Sequence, residues 1–115
     1  MIERFEITIL LDFYGDLLTE KQREIMEMYF NDDLSLAEIS ENNNTSRQAI
    51  HDIIKRCQKS LLDYEGKLGL MKANNDMKAK KKELFNKIES LNDMIDDSEL
   101  RNKIEEIKSD INDLF

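Results

Sequence analysis

The stretch SLAEISENNNTSRQAIHDIIKRC, residues 35–57, decides the fold of this chain. Ser35 followed three residues later by Glu38 is a capping box, which predicts a short helix over about 36–42. Asparagines at 42–44 end that helix, because asparagine tolerates the left-handed backbone of a tight turn. Ser46 then caps a longer helix that we expect to reach about Tyr64. Two helices joined by a tight turn, the second longer and basic, are typical of a helix-turn-helix.

Two more helices are predicted before this motif. The first spans about 2–14, and its apolar residues recur at helical spacing, which predicts an inward stripe. The second follows a Thr19–Gln22 capping box and runs to about residue 31. We expect the three tyrosines to wedge between helices with their hydroxyls outward. The side chains predicted to face inward are Ile2, Phe5, Ile9, Leu10 and Phe13 of the first helix and Ile25, Met28 and Tyr29 of the second.

The last third of the chain has a heptad-like apolar pattern. Two seams with alternating four- and three-residue steps predict helices over about 73–95 and 98–114, with a break at Asp96-Asp97-Ser98. Helices of this length need a packing partner, which is either a hairpin within the chain or a second copy. We therefore divide the all-α chain into a helix-turn-helix domain at 1–68 and a helical extension at 69–115. The predicted interface residues are Leu84, Ile88, Leu91, Ile95, Leu100, Ile104, Ile107 and Ile111.

Composition limits the function classes. The chain has one histidine and one cysteine, six residues apart, so neither a metal site nor a catalytic triad can be assembled. We expect Cys57 to be a small core residue, and we predict no catalytic residue, no metal and no cofactor. No apolar run approaches the length of a membrane span. These features predict a cytoplasmic protein that is not an enzyme.

Charge is distributed unevenly along the 115 residues, whose net charge is −8. Residues 1–42 hold 3 basic and 11 acidic side chains, whereas residues 43–72 hold 6 basic and 3 acidic ones. Nucleic-acid affinity comes largely from basic groups that release counterions from phosphates. Only the middle segment, which contains the helix-turn-helix, therefore favours such a partner.

The second helix of the motif carries the candidate nucleic-acid contacts. Arg47 could pair with guanine and Gln48 with adenine, while Ser46 and the first-turn amides could hold a phosphate. Asp52 lies near the same face and would repel phosphate. Sequence-specific DNA binding, RNA contact and a protein-interaction scaffold all fit this pattern. The predicted contact residues are Ser46, Arg47, Gln48, His51, Lys55, Arg56 and Lys59.

Parts of the chain resemble region 4 of bacterial sigma factors, which reads the −35 promoter element. The resemblance lies in Leu17-Leu18-Thr19-Glu20-Lys21-Gln22-Arg23, in Leu34-Ser35-Leu36-Ala37-Glu38-Ile39-Ser40 and in Ser46-Arg47-Gln48-Ala49-Ile50. Sigma region 4 typically carries basic residues where this chain has Ala49, His51 and Asp52. The resemblance implies a DNA-binding transcriptional regulator of the region-4 type.

A second resemblance covers nearly the whole chain. Residues 12–19, DFYGDLLT, and Ser46-Arg47-Gln48-Ala49-Ile50-His51-Asp52, with Ile54-Lys55-Arg56 and residues 63–68, DYEGKL, are similar to the YlxM or UPF0122 family. These are small bacterial helix-turn-helix proteins with a helical C-terminal extension. Their genes commonly lie beside the gene for Ffh, the protein subunit of the signal recognition particle.

That resemblance implies an accessory or regulatory role in the signal recognition particle pathway, exerted by binding nucleic acid or the particle itself. The alternatives are a transcriptional regulator of the region-4 type and a protein-interaction module built on the C-terminal helices. The expected partners are DNA or the particle's RNA, components of the particle, and a second copy in a homodimer.

Overall fold

A computed structural model describes residues 3–114, and helices dominate this range, with no strand in it. The structure confirms the all-α class. Compactness divides the chain after Met71 into an N-terminal unit and a C-terminal unit that starts at Lys72. The helices are α1 (Arg4–Tyr14), α2 (Glu20–Phe30), α3 (Leu36–Asn43), α4 (Arg47–Leu68), α5 (Leu70–Asp93) and α6 (Ser98–Leu114), and a 3-10 turn at Gly15–Leu17 follows α1.

Helix α4 is the centre of the N-terminal unit, because α1, α2 and α3 each pack against it. One continuous apolar cluster joins the four helices, and burial of this area provides most of the stabilisation of such a small unit. Cys57 belongs to the cluster, as predicted from its residue type. The buried members are Ile7, Leu10, Leu11, Tyr14, Ile25, Met26, Phe30, Ile39, Ile50, Ile54, Cys57 and Leu61.

The buried face of α1 differs from the predicted stripe. Phe5 is 67% exposed, Ile9 and Phe13 are only partly buried, and Ile2 lies outside the described residues. The sequence of α1 is apolar on most sides, so helical spacing fits two different faces. The prediction chose the wrong one, although Leu10 is buried on the face that packs. The residues buried there are Ile7, Leu10, Leu11 and Tyr14.

Helix α2 begins at the predicted capping box, in which Thr19 and Gln22 exchange side-chain and backbone hydrogen bonds. Ile25 is fully buried, as predicted. Met28 and Tyr29 are only partly buried against the edge of the core, whereas Met26 and Phe30 are buried. The inward face of α2 is therefore rotated by part of a turn from the predicted one.

The helix-turn-helix is confirmed in detail. The Glu38 amide donates to Ser35 Oγ at 3.1 Å, and the Ser35 amide donates to Glu38 Oε1 at the same distance. Asn44 has a φ of 49°, and its amide donates to the carbonyls of Ser40 and Glu41. An asparagine therefore supplies the left-handed residue that closes α3. Helix α4 runs to Leu68, four residues beyond the predicted end.

Tyr14 joins the end of α4 to the start of α5, contrary to the expectation of an outward hydroxyl. The hydroxyl donates to Glu65 Oε1 at 2.6 Å and accepts from the Leu70 amide at 2.9 Å. Glu65 Oε1 also accepts from the Met71 amide at 2.9 Å. Burial and the bond to Glu65 raise the pKa of Tyr14 above its ordinary value. The two side chains satisfy first-turn amides of α5, so they act together as its cap.

The C-terminal unit consists of α6 and most of α5, joined by a turn between Asp93 and Ser98. Asp97 Oδ1 caps α6 by accepting from the amides of Glu99 and Leu100 at 2.8 and 3.2 Å. In the described part of this unit Ile104, at 6% exposure, is the one buried side chain. The two helices form a hairpin with a narrow contact.

Candidate nucleic-acid interface

The predicted contact residues lie in the first three and a half turns of α4. Ile50, Ile54, Cys57 and Leu61 occupy the buried side of this helix. The opposite side faces solvent and carries the charged and amide groups, because residues three and four apart share a face. The exposed residues there are Gln48, Asp52, Lys55, Arg56 and Lys59.

Ser46 is committed to the helix itself. Its hydroxyl accepts the Ala49 amide at 3.2 Å, which makes it the N-cap of α4. A capping hydroxyl satisfies one of the unpaired amides at the start of a helix. Ser46 thus fixes where α4 begins and how its first turn is presented, and its O–H can still donate to a phosphate.

Four cations of α4 are exposed and available. Arg47, Lys55, Arg56 and Lys59 make no ion pair within residues 3–114. Several other cations of the chain are paired, such as Arg23 with Asp16 at 2.7 Å. The first and last of the four are twelve positions apart, which is about 18 Å of helix axis. An exposed, unpaired cation can neutralise a phosphate without first breaking an internal bond.

Asp52 restrains the amide and imidazole groups predicted to read bases. Its Oδ1 accepts from Gln48 Nε2 at 3.0 Å and lies 3.8 Å from His51 Nδ1. The Gln48–Asp52 spacing of four residues is the signal that could have shown this bond in the sequence. The structure therefore brings Gln48 and His51 together around a carboxylate, and Gln48 must leave it before reading a base.

A groove of about 580 Å³ beside α4 was not anticipated. The Arg4 guanidinium stacks 4.8 Å from the Tyr29 ring centre, bonds the Tyr29 carbonyl and pairs with Asp33 at 2.9 Å. His51 and Lys55 line the groove from α4. The apolar residues that line it are Ile7, Phe30, Leu36, Ile54 and Leu62.

Neither a metal cluster nor a membrane span is found in the described part of the chain. No group of three or more histidine, cysteine, aspartate or glutamate side chains in residues 3–114 could hold a metal ion. Within the same range, no helix is both long and apolar enough to cross a membrane. Burial raises the pKa of the Cys57 thiol, which disfavours its nucleophilic thiolate form.

The interface residues predicted in the C-terminal unit divide into two groups. Leu84, Ile88, Ile95 and Ile111 are partly buried and Ile104 is buried. Leu91, Leu100 and Ile107 are each 51% exposed. The contact between α5 and α6 therefore buries the first group at least in part and leaves the second group exposed to solvent.

The capped α3, the left-handed Asn44 and the partly basic α4 define a helix-turn-helix protein. A family model describing YlxM / p13-like helix-turn-helix proteins, UPF0122, matches residues 1–111. The chain belongs to the UPF0122 family.

Relatives from clostridia share about half of the residues. A UPF0122 protein of Clostridium novyi is 52% identical over 111 residues, which cover 96% of each chain. One from Clostridium acetobutylicum is 51% identical over 115 residues, covering 97% of each chain. One from Clostridium perfringens strain 13 is 62% identical over 72 residues, which are 63% of this chain and 64% of that protein.

Proposed function

We propose that this UPF0122 protein binds a nucleic-acid duplex through the exposed side of α4. The observation that carries the proposal is the set of four unpaired cations at Arg47, Lys55, Arg56 and Lys59. They stand on a helix held by a well-packed core and by the Asn44 turn. In a helix-turn-helix this second helix is the one that enters the major groove.

The acidic side chain of Asp52 keeps this binding modest and directed mainly at phosphates. It holds Gln48 and lies near His51, so base reading begins only after the Gln48–Asp52 bond is exchanged. It also places a negative charge among the cations. Arg47 remains the one predicted base-reading residue with no internal partner in the described chain, and its guanidinium suits guanine.

The role we propose is that of a cytoplasmic accessory or regulatory protein of the signal recognition particle pathway. Its support is the family resemblance, and the duplex partner in that setting is the particle's RNA. A promoter-reading protein of the sigma region-4 type is the second candidate. It is favoured by the placement of Arg47 and Gln48 in the first turn of α4, where such proteins contact bases.

The test measures binding of the full chain to a DNA duplex and to the particle's RNA by fluorescence anisotropy. Between about 50 and 200 mM salt, three or four phosphate contacts to DNA give a log–log slope of about −3 to −4. Lys55→Ala with Lys59→Ala should reduce that slope by about 2. Lys67→Ala, which removes a charge from the last turn of the same helix, is the matched control and should leave the slope unchanged.

Two further results separate the candidates. Asp52→Asn should raise affinity for either duplex by roughly threefold at low salt, because a repelling charge is removed. If wild type prefers one DNA sequence and Arg47→Ala removes that preference, the result supports promoter reading. If wild type binds the particle's RNA more tightly than DNA, the result supports the accessory role. Absence of salt-sensitive binding to both duplexes contradicts the proposal.

A further inference from the structure

The C-terminal unit leaves two apolar rows uncovered. Met77 and Leu91 of α5 are 50% and 51% exposed, and Leu84, half-buried, lies midway between them. On α6, Leu100 and Ile107 are 51% exposed and Leu114 is 76% exposed. Both rows advance by seven residues a step, so each forms a stripe along one side of its helix.

The two rows lie on the same side of the hairpin. Met77 and Leu114 line one surface depression, which places the start of the first row beside the end of the second. On the opposite side of the hairpin, Lys108 of α6 bonds Glu89 of α5. By helical spacing, each of these residues lies across the contact between the helices from the apolar row of its own helix. The hairpin thus has an ion-paired side and an apolar side.

We propose that a second copy of this chain covers the apolar side, forming a four-helix bundle. The face is about 25 Å long, from the 17 residues of α6, and about 20 Å wide, as two helix diameters. Two copies therefore bury roughly 1,000 Å² in total, which is about the minimum area expected of a biological interface. The surface is self-complementary because seven-residue rows on antiparallel helices interlock with the same rows turned about a twofold axis.

Charge selects how the two copies pair. Beyond the apolar row, the outer edge of α5 carries Lys80 and Lys87, which share Glu83 at 3.5 and 3.3 Å. Lys72 and Asp76 pair at 3.7 Å on the same edge, which leaves it a net charge of +1. The outer edge of α6 carries Glu106 and Asp110 beside a single lysine, Lys103. A twofold axis parallel to the helices sets α5 of one copy on α6 of the other and brings these opposite edges together. The perpendicular axis sets α5 on α5 and brings lysines against lysines.

The first test is the mass of the full chain in solution by light scattering and sedimentation equilibrium. We expect a dimer, twice 13.6 kDa, that Ile107→Asp converts to a monomer. Phe5→Asp is the matched control, because Phe5 is 67% exposed but belongs to the N-terminal unit. It should stay dimeric. Circular dichroism of each variant checks that helix content is kept.

A monomeric wild type at micromolar concentrations overturns the proposal, as does a dimer that survives Ile107→Asp and is lost with Phe5→Asp.

The second test is a charge exchange across the predicted contact. Lys87→Glu should weaken the dimer about tenfold, and adding Asp110→Lys should restore it. If the dimer of the double variant stays as weak as that of Lys87→Glu, the α5-on-α6 arrangement is excluded. Neither test depends on nucleic-acid binding, so this inference and the proposed function can fail separately.

Discussion

The two compact units differ in how far their apolar side chains are buried. In the N-terminal unit twelve side chains from four helices form one buried cluster. In the C-terminal unit Ile104 is the one buried side chain of the described residues, and Met77, Leu91, Leu100 and Ile107 are each about half exposed. Both units are helical, but charged side chains are 22 of the 71 residues of the N-terminal unit and 20 of the 44 residues of the C-terminal unit, so composition already favours the larger core in the first.

The number of helices that meet in each unit adds to this difference in burial. Three helices enclose α4, so its apolar side is covered from several directions. Within the described part of the C-terminal unit, α5 and α6 have only each other to pack against, so each helix covers a narrow strip of the other. The heptad pattern supplies an apolar stripe wider than that strip. The N-terminal unit can hold a functional surface in place by itself, whereas the C-terminal unit is suited to association.

The largest effect that tests this contrast is the loss of a side chain from the enclosed core. Ile39→Ala should lower the free energy of unfolding by about 2–5 kcal/mol, because a fully buried side chain leaves a cavity. Phe5→Ala, at an exposed position, should change it by less than about 0.5 kcal/mol. Urea denaturation measures both. Equal losses would show that the N-terminal unit is not packed around α4 as described.

Protein concentration should affect the units unequally. If a second copy covers the C-terminal unit, a tenfold increase in protein concentration raises the free energy of unfolding of that unit by about 1.4 kcal/mol per mole of dimer. All three tyrosines lie in the N-terminal unit, so tyrosine fluorescence reports that unit while circular dichroism reports all helices. We expect the fluorescence midpoint to stay fixed and the dichroism curve to shift. A dichroism curve that also stays fixed would show that the hairpin folds without a partner.

Tyr14→Phe should loosen the cap at the start of α5. Removing the hydroxyl leaves the Leu70 amide and Glu65 without that bond, and Tm should fall by about 5 °C. The pKa of Tyr14 is raised in the folded protein, so its contribution is present below pH 10 and is lost as pH rises through the folded value. Wild type should therefore lose stability above pH 10 more steeply than the variant. Parallel pH profiles would contradict this.

The smallest expected effect concerns the cap of α3. Ser35→Ala should cost about 1 kcal/mol. Hydrogen bonds from Ser35 lower the pKa of Glu38, so the contribution of this carboxylate is present above pH 4.5 and is lost as pH falls through the lowered value. Glu38→Gln should flatten that acid dependence, whereas Glu41→Gln, which removes a charge from the same helix outside the cap, should not. Thermal unfolding between pH 5 and pH 3 compares the two variants.

Local signals in the sequence proved sufficient for the ends of most helices. The capping boxes at Thr19 and Ser35 and the turn at Asn44 were predicted because each depends only on residues within four positions. The end of α4 was predicted too early. Gly66 weakens a helix but does not stop one, and the left-handed Gly69, with a φ of 62°, ends it.

The helix-turn-helix and its exposed cations were therefore determined by sequence alone, since helical spacing and capping fix which side of α4 faces solvent. Tertiary structure decided the rest. The side of α1 that carries Tyr14 is buried and the side that carries Phe5 is exposed. Which of the two apolar stripes is buried depends on where the other helices pack. Tertiary structure bonded Tyr14 to Glu65 across 51 residues of sequence, a separation at which no local pattern exists. It also showed which half of the C-terminal seam a two-helix hairpin covers, because coverage depends on how many neighbours a helix has.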